Sequence, residues 1–331
     1  MKHRAIALLS GGLDSTLAVR LMLDQGIEVH ALNFVTPFCT CNRKGRCEAR
    51  RVADQFGIPI RVTALTDEFF PLVANPKYGY GRGMNPCLDC RILMFSRARE
   101  NLEEIGADFV FTGEVLGQRP MSQHLRAMRI IDRESGLDGR VLRPLSAKLL
   151  PPTIPERQGI VRREALLGIR GRSRREQMAL AKERGIADYP CPAGGCRLTE
   201  PGFARRMRDL VTHTPDFGLN DVSLLKVGRH FRLFPRTKAV VGRDEEENRR
   251  IGMLARPDDF LFEVQTWGSP LTLLRGEVDG EGIRRAAAIT ARYSDAPGRD
   301  VLVGYGAADS ALGEEIQVSL MGEQELAKLR I

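Results

Sequence analysis

The chain has 331 residues and a net charge of +8, and its length exceeds the roughly 100–150 residues of a usual single domain, which points to two domains. Hydrophobic residues make up 43% and charged residues 28%, as in an ordinary globular protein, and no apolar run approaches the ~20 residues that cross a bilayer, so a helical membrane protein is excluded. The basic balance favours a polyanionic partner such as nucleic acid, because each phosphate neutralised releases counterions.

Met1-Lys2-His3-Arg4 looks like the start of an export signal, but the apolar stretch Ala5–Leu9 ends in a glycine pair after a few residues, so a cytoplasmic protein is expected. That same stretch reads as a buried strand, followed by the loop Ser10-Gly11-Gly12-Leu13-Asp14-Ser15-Thr16 and a helix from Ser15 to about Gln25. Glu28–Phe34 and Ile60–Leu65 read as further strands, with helices over Cys47–Phe56 and Ile92–Ile105 and a strand over Phe109–Thr112. Strands alternating with helices imply a parallel sheet with helices on both faces, an α/β fold that binds ligands at the carboxyl ends of its strands. Pro151-Pro152-Thr153-Ile154-Pro155 breaks this pattern, and the arginine-rich helical patterns Gln158–Leu167 and Arg174–Arg184 follow it. From about Asp221 the texture becomes α+β: strands around His230–Phe234 and Phe260–Val264, helices around Glu245–Leu254 and Gly282–Tyr293. The expected divisions are 1–150, a basic helical extension over 151–214, and a smaller α+β domain over 215–331.

In the loop, the glycine pair lets backbone amides approach an anion, the helix behind it adds the positive end of its dipole, and Ser10, Ser15 and Thr16 add hydroxyls. The lysine of a Walker A loop is missing and Asp14 takes a place in the loop. Two cysteine pairs stand out: Asn85-Pro86-Cys87-Leu88-Asp89-Cys90 just before a helix, where a helix N-terminus would favour thiolates, and Cys191-Pro192-Ala193-Gly194-Gly195-Cys196. Four thiolates would suit structural zinc and three an iron–sulfur cluster with an open iron; spacing does not choose between them. Cys39, Cys41 and Cys47 form a third group, with Arg43, Lys44 and Arg46 among them, open to a metal, a sulfur-relay or a merely basic-loop role.

Ser-Gly-Gly-x-Asp-Ser-Thr resembles the phosphate loop of the PP-loop ATP pyrophosphatases, which activate substrates by adenylation and have an adenine nucleotide alpha-hydrolase-like fold. Thr112-Gly113-Glu114-Val115-Leu116-Gly117-Gln118 and Leu142-Arg143-Pro144-Leu145 resemble segments of bacterial tRNA 4-thiouridine synthetases. The resemblance implies that Ser10, Gly11, Gly12, Asp14, Ser15, Thr16, Gly113 and Gln118 bind ATP, with Asp14 orienting Mg2+ or the loop amides. It further implies a 4Fe-4S cluster on Cys87, Cys90 and Cys191, with Cys196 as the rival third ligand and zinc as the alternative metal. In the pattern of the bacterial 2-thiouridylases, Cys87 and a cysteine of the late pair would instead carry persulfide. Asp14, Cys87 and Cys191 are then the catalytic residues.

The C-terminal segments Val227-Gly228-Arg229-His230-Phe231, Val241-Gly242-Arg243-Asp244-Glu245-Glu246-Glu247-Asn248 and Ala291-Arg292-Tyr293-Ser294 resemble the RNA-binding domain of ribosome quality-control (NFACT) proteins. There Arg229, Arg232, Arg236 and Lys238 alternate with apolar residues along strands, which would give one cationic face able to follow phosphates. His230 reads as a surface or core residue. The expected activity is an ATP-dependent tRNA uridine sulfurtransferase that forms AMP and pyrophosphate, with tRNA and a sulfur donor, hydrosulfide or a persulfide carrier, as partners. A small-molecule adenylating PP-loop enzyme and a non-catalytic RNA-binding protein are the alternatives.

Overall fold

The computed structural model describes residues 2–40, 42–43, 46–186, 189 and 195–331, the side chains of 42, 43 and 46 excepted. The chain folds as two compact units, Met1–Thr199 and Glu200–Ile331, so the segment read as a basic extension over 151–214 is divided at Thr199.

The first unit runs β1 (Arg4–Leu8), α1 (Leu13–Leu23), β2 (Glu28–Val35), β3 (Asn42–Arg43), β4 (Arg46–Cys47), α2 (Glu48–Phe56), β5 (Ile60–Ala64), α3 (Phe69–Ala74), α4 (Cys87–Ile105), β6 (Phe109–Thr112), α5 (Leu125–Glu134), β7 (Val141–Leu142), α6 (Ile154–Arg157) and α7 (Arg175–Glu183). Its sheet has the order β5-β2-β1-β6-β7, and every pairing in it is parallel. Alternation along β1 explains the two helical layers. Ala5 and Ala7 face a core shared with Leu17 and Val19 of α1 and Val52 of α2. Ile6 faces the opposite core, with Phe95 and Leu102 of α4 and Ile131 of α5.

From β1 the chain proceeds outward through β2 to β5, then returns to build β6 and β7 on the other side. The strand order therefore reverses between β1 and β6, where Leu8 lies level with Thr112. At such a switch point the loops leaving two strands diverge and open a crevice at their carboxyl ends. The loops that leave these two strands are Leu9–Gly12 and Gly113–His124.

Two readings of the local pattern change. The helix expected from Ile92 starts at Cys87 with Pro86 as its N-cap, because proline's fixed φ suits a helix start. Pro155 likewise sits inside the first turn of α6, where Thr153 and Glu156 form a capping box, while Gln158–Leu167 holds only a 3-10 turn at Arg163–Ala165.

The second unit runs α8 (Pro201–His213), α9 (Leu219–Leu224), β8 (Arg229–Phe234), β9 (Thr237–Val241), α10 (Glu245–Leu254), β10 (Phe260–Glu263), β11 (Thr272–Gly276), α11 (Gly280–Arg292), β12 (Asp300–Ala307), β13 (Glu314–Ser319) and α12 (Glu323–Leu329). Its sheet, β13-β12-β10-β11-β9-β8, is antiparallel throughout. One face packs on Ala286, Ala287 and Ile289 of α11, and the other on Leu224 and Ile251 of α9 and α10. Asp244 and Asp279 cap α10 and α11 by accepting from the amides of Glu247 and Gly282. Among the described residues no helix is long and apolar enough to cross a membrane.

Candidate active site

The loop after β1 is shaped by its glycines. Gly11 takes φ +77°, and a Cβ there would lie 2.5 Å from the carbonyl carbon of Glu48, so only glycine lets the loop lie on the start of α2. Gly12 is the extended N-cap of α1, and its carbonyl accepts from the hydroxyls of Ser15 at 2.9 Å and Thr16 at 3.0 Å. The loop after β6 approaches just as closely, since a Cβ on Gly113 would lie 2.4 Å from the Ser15 amide nitrogen.

These two loops wall a cavity of about 280 Å³ at the switch point, lined by Ser10, Gly12, Asp14, Ser15, Gly113 and Gln118. Gly11 and Thr16 are not among its lining residues; Gly11 packs on α2, and Thr16 is fully buried on its own helix turn. Asp14 accepts from the Gln118 amide at 3.0 Å through Oδ2, with an Arg174 nitrogen at 3.5 Å. Its other oxygen, Oδ1, is buried and has no hydrogen-bond partner. A carboxylate held by one oxygen and orphaned at the other fits a divalent cation. Leu8, Leu32, Phe34 and Met94 add apolar wall.

The same cavity is lined by Cys39, Cys87, Cys90 and Cys196. Cys87 opens α4, and the Asn85 side-chain amide donates to its sulfur at 3.1 Å. Enclosure pushes the Cys90 thiol up to about 12, against the pull of Arg91. Cys196 is likewise raised to about 12 by enclosure. Both therefore keep their protons at neutral pH, and for Cys90 this departs from the thiolate expected at a helix start. Cys39 pairs with Cys196 in an isolated antiparallel bridge, fixed by Thr40 N–H to Gly195 O at 3.1 Å and Arg197 N–H to Phe38 O at 3.0 Å. The reading of Cys39 as part of a separate group with Cys41 and Cys47 missed this pairing. Cys41 and Cys191 lie outside the described residues.

Among the described residues, no three cysteines, histidines or acidic residues group closely enough to hold a metal ion. Cys87, Cys90 and Cys196 thus share a cavity without forming a ligand set for iron–sulfur or zinc. Arg91, Arg119 and Arg174 add positive charge to the lining, beside the carboxylates of Glu48 and Glu114. The surrounding protein holds the Arg119 guanidinium below its ordinary range, with Arg91 and Arg174 adding to the effect. Glu114, in the motif segment, also lines the cavity, with Oε1 buried and without a hydrogen-bond partner. It is 2% exposed and accepts from Arg143 Nε at 3.0 Å, while Arg143 also grips Asp132 with two bonds of 2.7 and 2.8 Å. Burial opposes the Arg143 charge, but these carboxylates outweigh it and hold its pKa above the ordinary value. The motifs after β6 and β7 are therefore tied together under the cavity floor.

A family model described as thiamine biosynthesis protein (ThiI) matches residues 1–148, and one described as NFACT protein RNA binding domain matches residues 228–330. The tRNA-specific 2-thiouridylase MnmA of Syntrophotalea carbinolica is 38% identical over 121 residues, 34% of this chain and 34% of that protein. The enzyme of the same name from Clostridium acetobutylicum is 34% identical over 127 residues, 34% of this chain and 36% of that protein. The chain thus spans about a third of the length of these curated relatives. A crystal structure of a 4-thiouridine synthetase–RNA complex with bound ATP aligns over 64% of this chain and 51% of its own, with 24% identity and a TM-score of 0.40. The chain accordingly joins a PP-loop segment that matches the ThiI family to a C-terminal segment that matches the NFACT RNA-binding domain.

Proposed function

We propose that the chain is an ATP-dependent tRNA uridine sulfurtransferase, working in the cytoplasm. The observation that carries this reading is that one cavity holds both the PP-loop and the thiols: Ser10, Gly12, Asp14 and Ser15 with Cys87, Cys90 and Cys196. An adenylating enzyme needs the first group alone, and an RNA-binding protein needs neither. The curated relatives that match about a third of the chain are named tRNA-specific 2-thiouridylases.

In this reading a uridine carbonyl oxygen attacks the α-phosphorus of ATP, the α–β bond breaks, and pyrophosphate leaves. The loop carrying Gly12 at the N-terminus of α1 faces the leaving group, where amide donors and the helix dipole stabilise developing negative charge. Gln118 and Arg174 hold Asp14 in place, and Mg2+ held by Asp14 would supply charge neutralisation on the phosphates. Hydrosulfide then adds to the activated carbon and AMP departs with the former carbonyl oxygen, so the thiocarbonyl forms without net redox change. If sulfur arrives as a persulfide, its outer sulfur passes to a cavity thiol and the carrier leaves as a thiol; Cys87, at the head of α4 with Asn85 donating to its sulfur, is the proposed acceptor. Cys87 and Cys90 do not complete a cluster ligand set among the described residues, and Cys191, the third ligand of the cluster-assisted variant, lies outside them.

ATP–pyrophosphate exchange, measured with and without bulk tRNA, tests the reading. Exchange that requires tRNA supports it. Exchange that ignores tRNA points to a small-molecule adenylating enzyme, and no exchange with retained tRNA binding points to a non-catalytic RNA-binding protein.

A further inference from the structure

The cationic face expected along β8 and β9 is largely neutralised in the second unit, Arg229 excepted. Arg232 is bound by both oxygens of Asp209 at 3.0 and 2.6 Å, and Lys238 is 7% exposed with Nζ 3.8 Å from the same carboxylate. Arg236 pairs with Glu277 at 2.8 Å. Several other arginines there are also matched to carboxylates: Arg275 to Asp221 and Asp259, Arg256 to Asp221, Arg249 to Glu246 and Arg285 to Glu281.

One cleft of about 310 Å³ instead gathers several arginines that lack a carboxylate partner. It is lined by Arg205, Arg206, Arg229, Arg243 and Arg330, with Gly202, Gly228, His230 and Ile331. Its cations are held mostly by neutral groups. Arg229 donates to the Gly242 carbonyl at 3.1 Å and lies over the Tyr293 ring, 4.6 Å from its centroid. Arg330 donates to the Tyr293 hydroxyl at 2.6 Å. Arg206 donates to the Gly202 carbonyl at 3.3 Å. Arg205 has no hydrogen-bond or ion-pair partner among the described residues. Of Arg205, Arg229, Arg243 and Arg330, only Arg243 meets a side-chain carboxylate, Glu247 at 2.9 Å.

Those four guanidinium groups thus face one side-chain carboxylate, and positive charge remains in excess even counting a carboxylate on Ile331. Aromatic rings and carbonyls orient the guanidinium planes without neutralising them, which is the arrangement of an anion site prepared before its ligand arrives. Gly202, in the first turn of the 13-residue helix α8, brings helix amides to the same cleft. The buried His230 is kept neutral first by burial and then by Lys238, Arg206 and Arg243; its Nε2 donates to the Val227 carbonyl at 2.7 Å, which leaves Nδ1, buried and unpartnered, as an acceptor. No acid on its own element competes for the arginines from that side.

We infer that this arginine cleft, to which the β8–β9 strands contribute Arg229, grips the phosphodiester backbone of the RNA substrate. The inference rests on the tRNA reading above, and it places the phosphates against Arg205, Arg229, Arg243 and Arg330. Exposed Arg205 and Arg243 can be changed without opening the core. In the full chain, the pair Arg205→Glu and Arg243→Glu is expected to weaken tRNA binding roughly tenfold or more, and to lower the magnitude of the slope of log K against log salt by about 1 for each phosphate no longer neutralised. The milder pair Arg205→Gln and Arg243→Gln should show the same change in slope with a smaller loss of affinity, while Arg236→Gln, which breaks only the pair with Glu277, leaves both unchanged. Thermal unfolding of each variant confirms that the fold is kept. Thiouridine formation by the unaltered chain is measured beside it. If that chain thiolates tRNA but both double variants bind with unaltered affinity and slope, the cleft is overturned and the function stands. If it binds phosphorylated peptides and neither binds nor thiolates tRNA, both fail.

Discussion

Replacing Gly113 by alanine tests whether the close approach of the β6 loop to the PP-loop sets the chemistry. The added methyl would stand 2.4 Å from the Ser15 nitrogen and 2.5 and 2.6 Å from the carbonyl atoms of Asp14, where ordinary contact begins at 3.4 Å. Gly113 does not lie in the left-handed region, so alanine is barred by these backbone atoms alone. Backbone cannot rotate aside as a side chain can; one loop must move by the difference, about 1 Å. Overpacking of this kind costs about 1–3 kcal/mol of stability, which leaves a protein of this size folded. Catalysis suffers more, because a displacement of about 1 Å in a positioning element costs on the order of a hundredfold in rate. Pyrophosphate release in the presence of tRNA is therefore expected to fall roughly a hundredfold in Gly113→Ala, with a melting temperature lowered by only a few degrees. A folded variant that releases pyrophosphate at nearly the original rate would refute the reasoning.

Arg143→Ala leaves Glu114 and Asp132 buried without their shared cation, and should destabilise the first unit by about 3–5 kcal/mol in urea unfolding; an unchanged midpoint would show that the network is not structural. Lys238 titrates at about 7 when folded, against 10.5 as a free side chain, chiefly because it is buried. The folded state then binds fewer protons than the unfolded state between those values, so this group makes stability rise with pH from about 7 to 10.5. Lys238→Met should flatten that rise in the unfolding of the second unit and raise stability at pH 7; a pH profile identical to the original contradicts the assignment. At pH 8 a thiol with pKa about 12 is thiolate in roughly one molecule in ten thousand, so iodoacetamide should modify Cys90 and Cys196 far more slowly than Cys87. Mass-spectrometric mapping that finds Cys90 or Cys196 alkylated first would overturn the reading of the cavity.

Local chemistry made the first unit legible. A buried strand, a glycine loop and a helix must follow one another closely in sequence, so Ser10–Thr16 could be read directly, as could the alternation that makes a parallel sheet. Gly113 and Gln118 were found through their motif, and the cavity brings both to the loop. Arg174 was read only as part of a basic helix, yet it reaches Asp14 across 160 residues, and Cys39 meets Cys196 across a similar span. No periodicity reports such pairings, because they are set by how elements pack. The same limit explains the cationic strand face: alternation correctly placed Arg232 and Lys238 on β8 and β9, but it could not show Asp209 of α8 beneath them. The arginines of the cleft are scattered over α8, β8, the loop before α10 and the residue after α12, so nothing in their spacing marks them as a group.

In the proposed function, ATP is split to activate a tRNA uridine in the cavity lined by Ser10, Gly12, Asp14 and Ser15. Incubating the chain with tRNA, ATP, Mg2+ and sulfide, and measuring AMP together with thiouridine in the digested nucleosides, tests it most directly. One AMP for each thiouridine is expected, with both lost in Asp14→Ala. AMP without thiouridine, or thiouridine formed equally by Asp14→Ala, would contradict it.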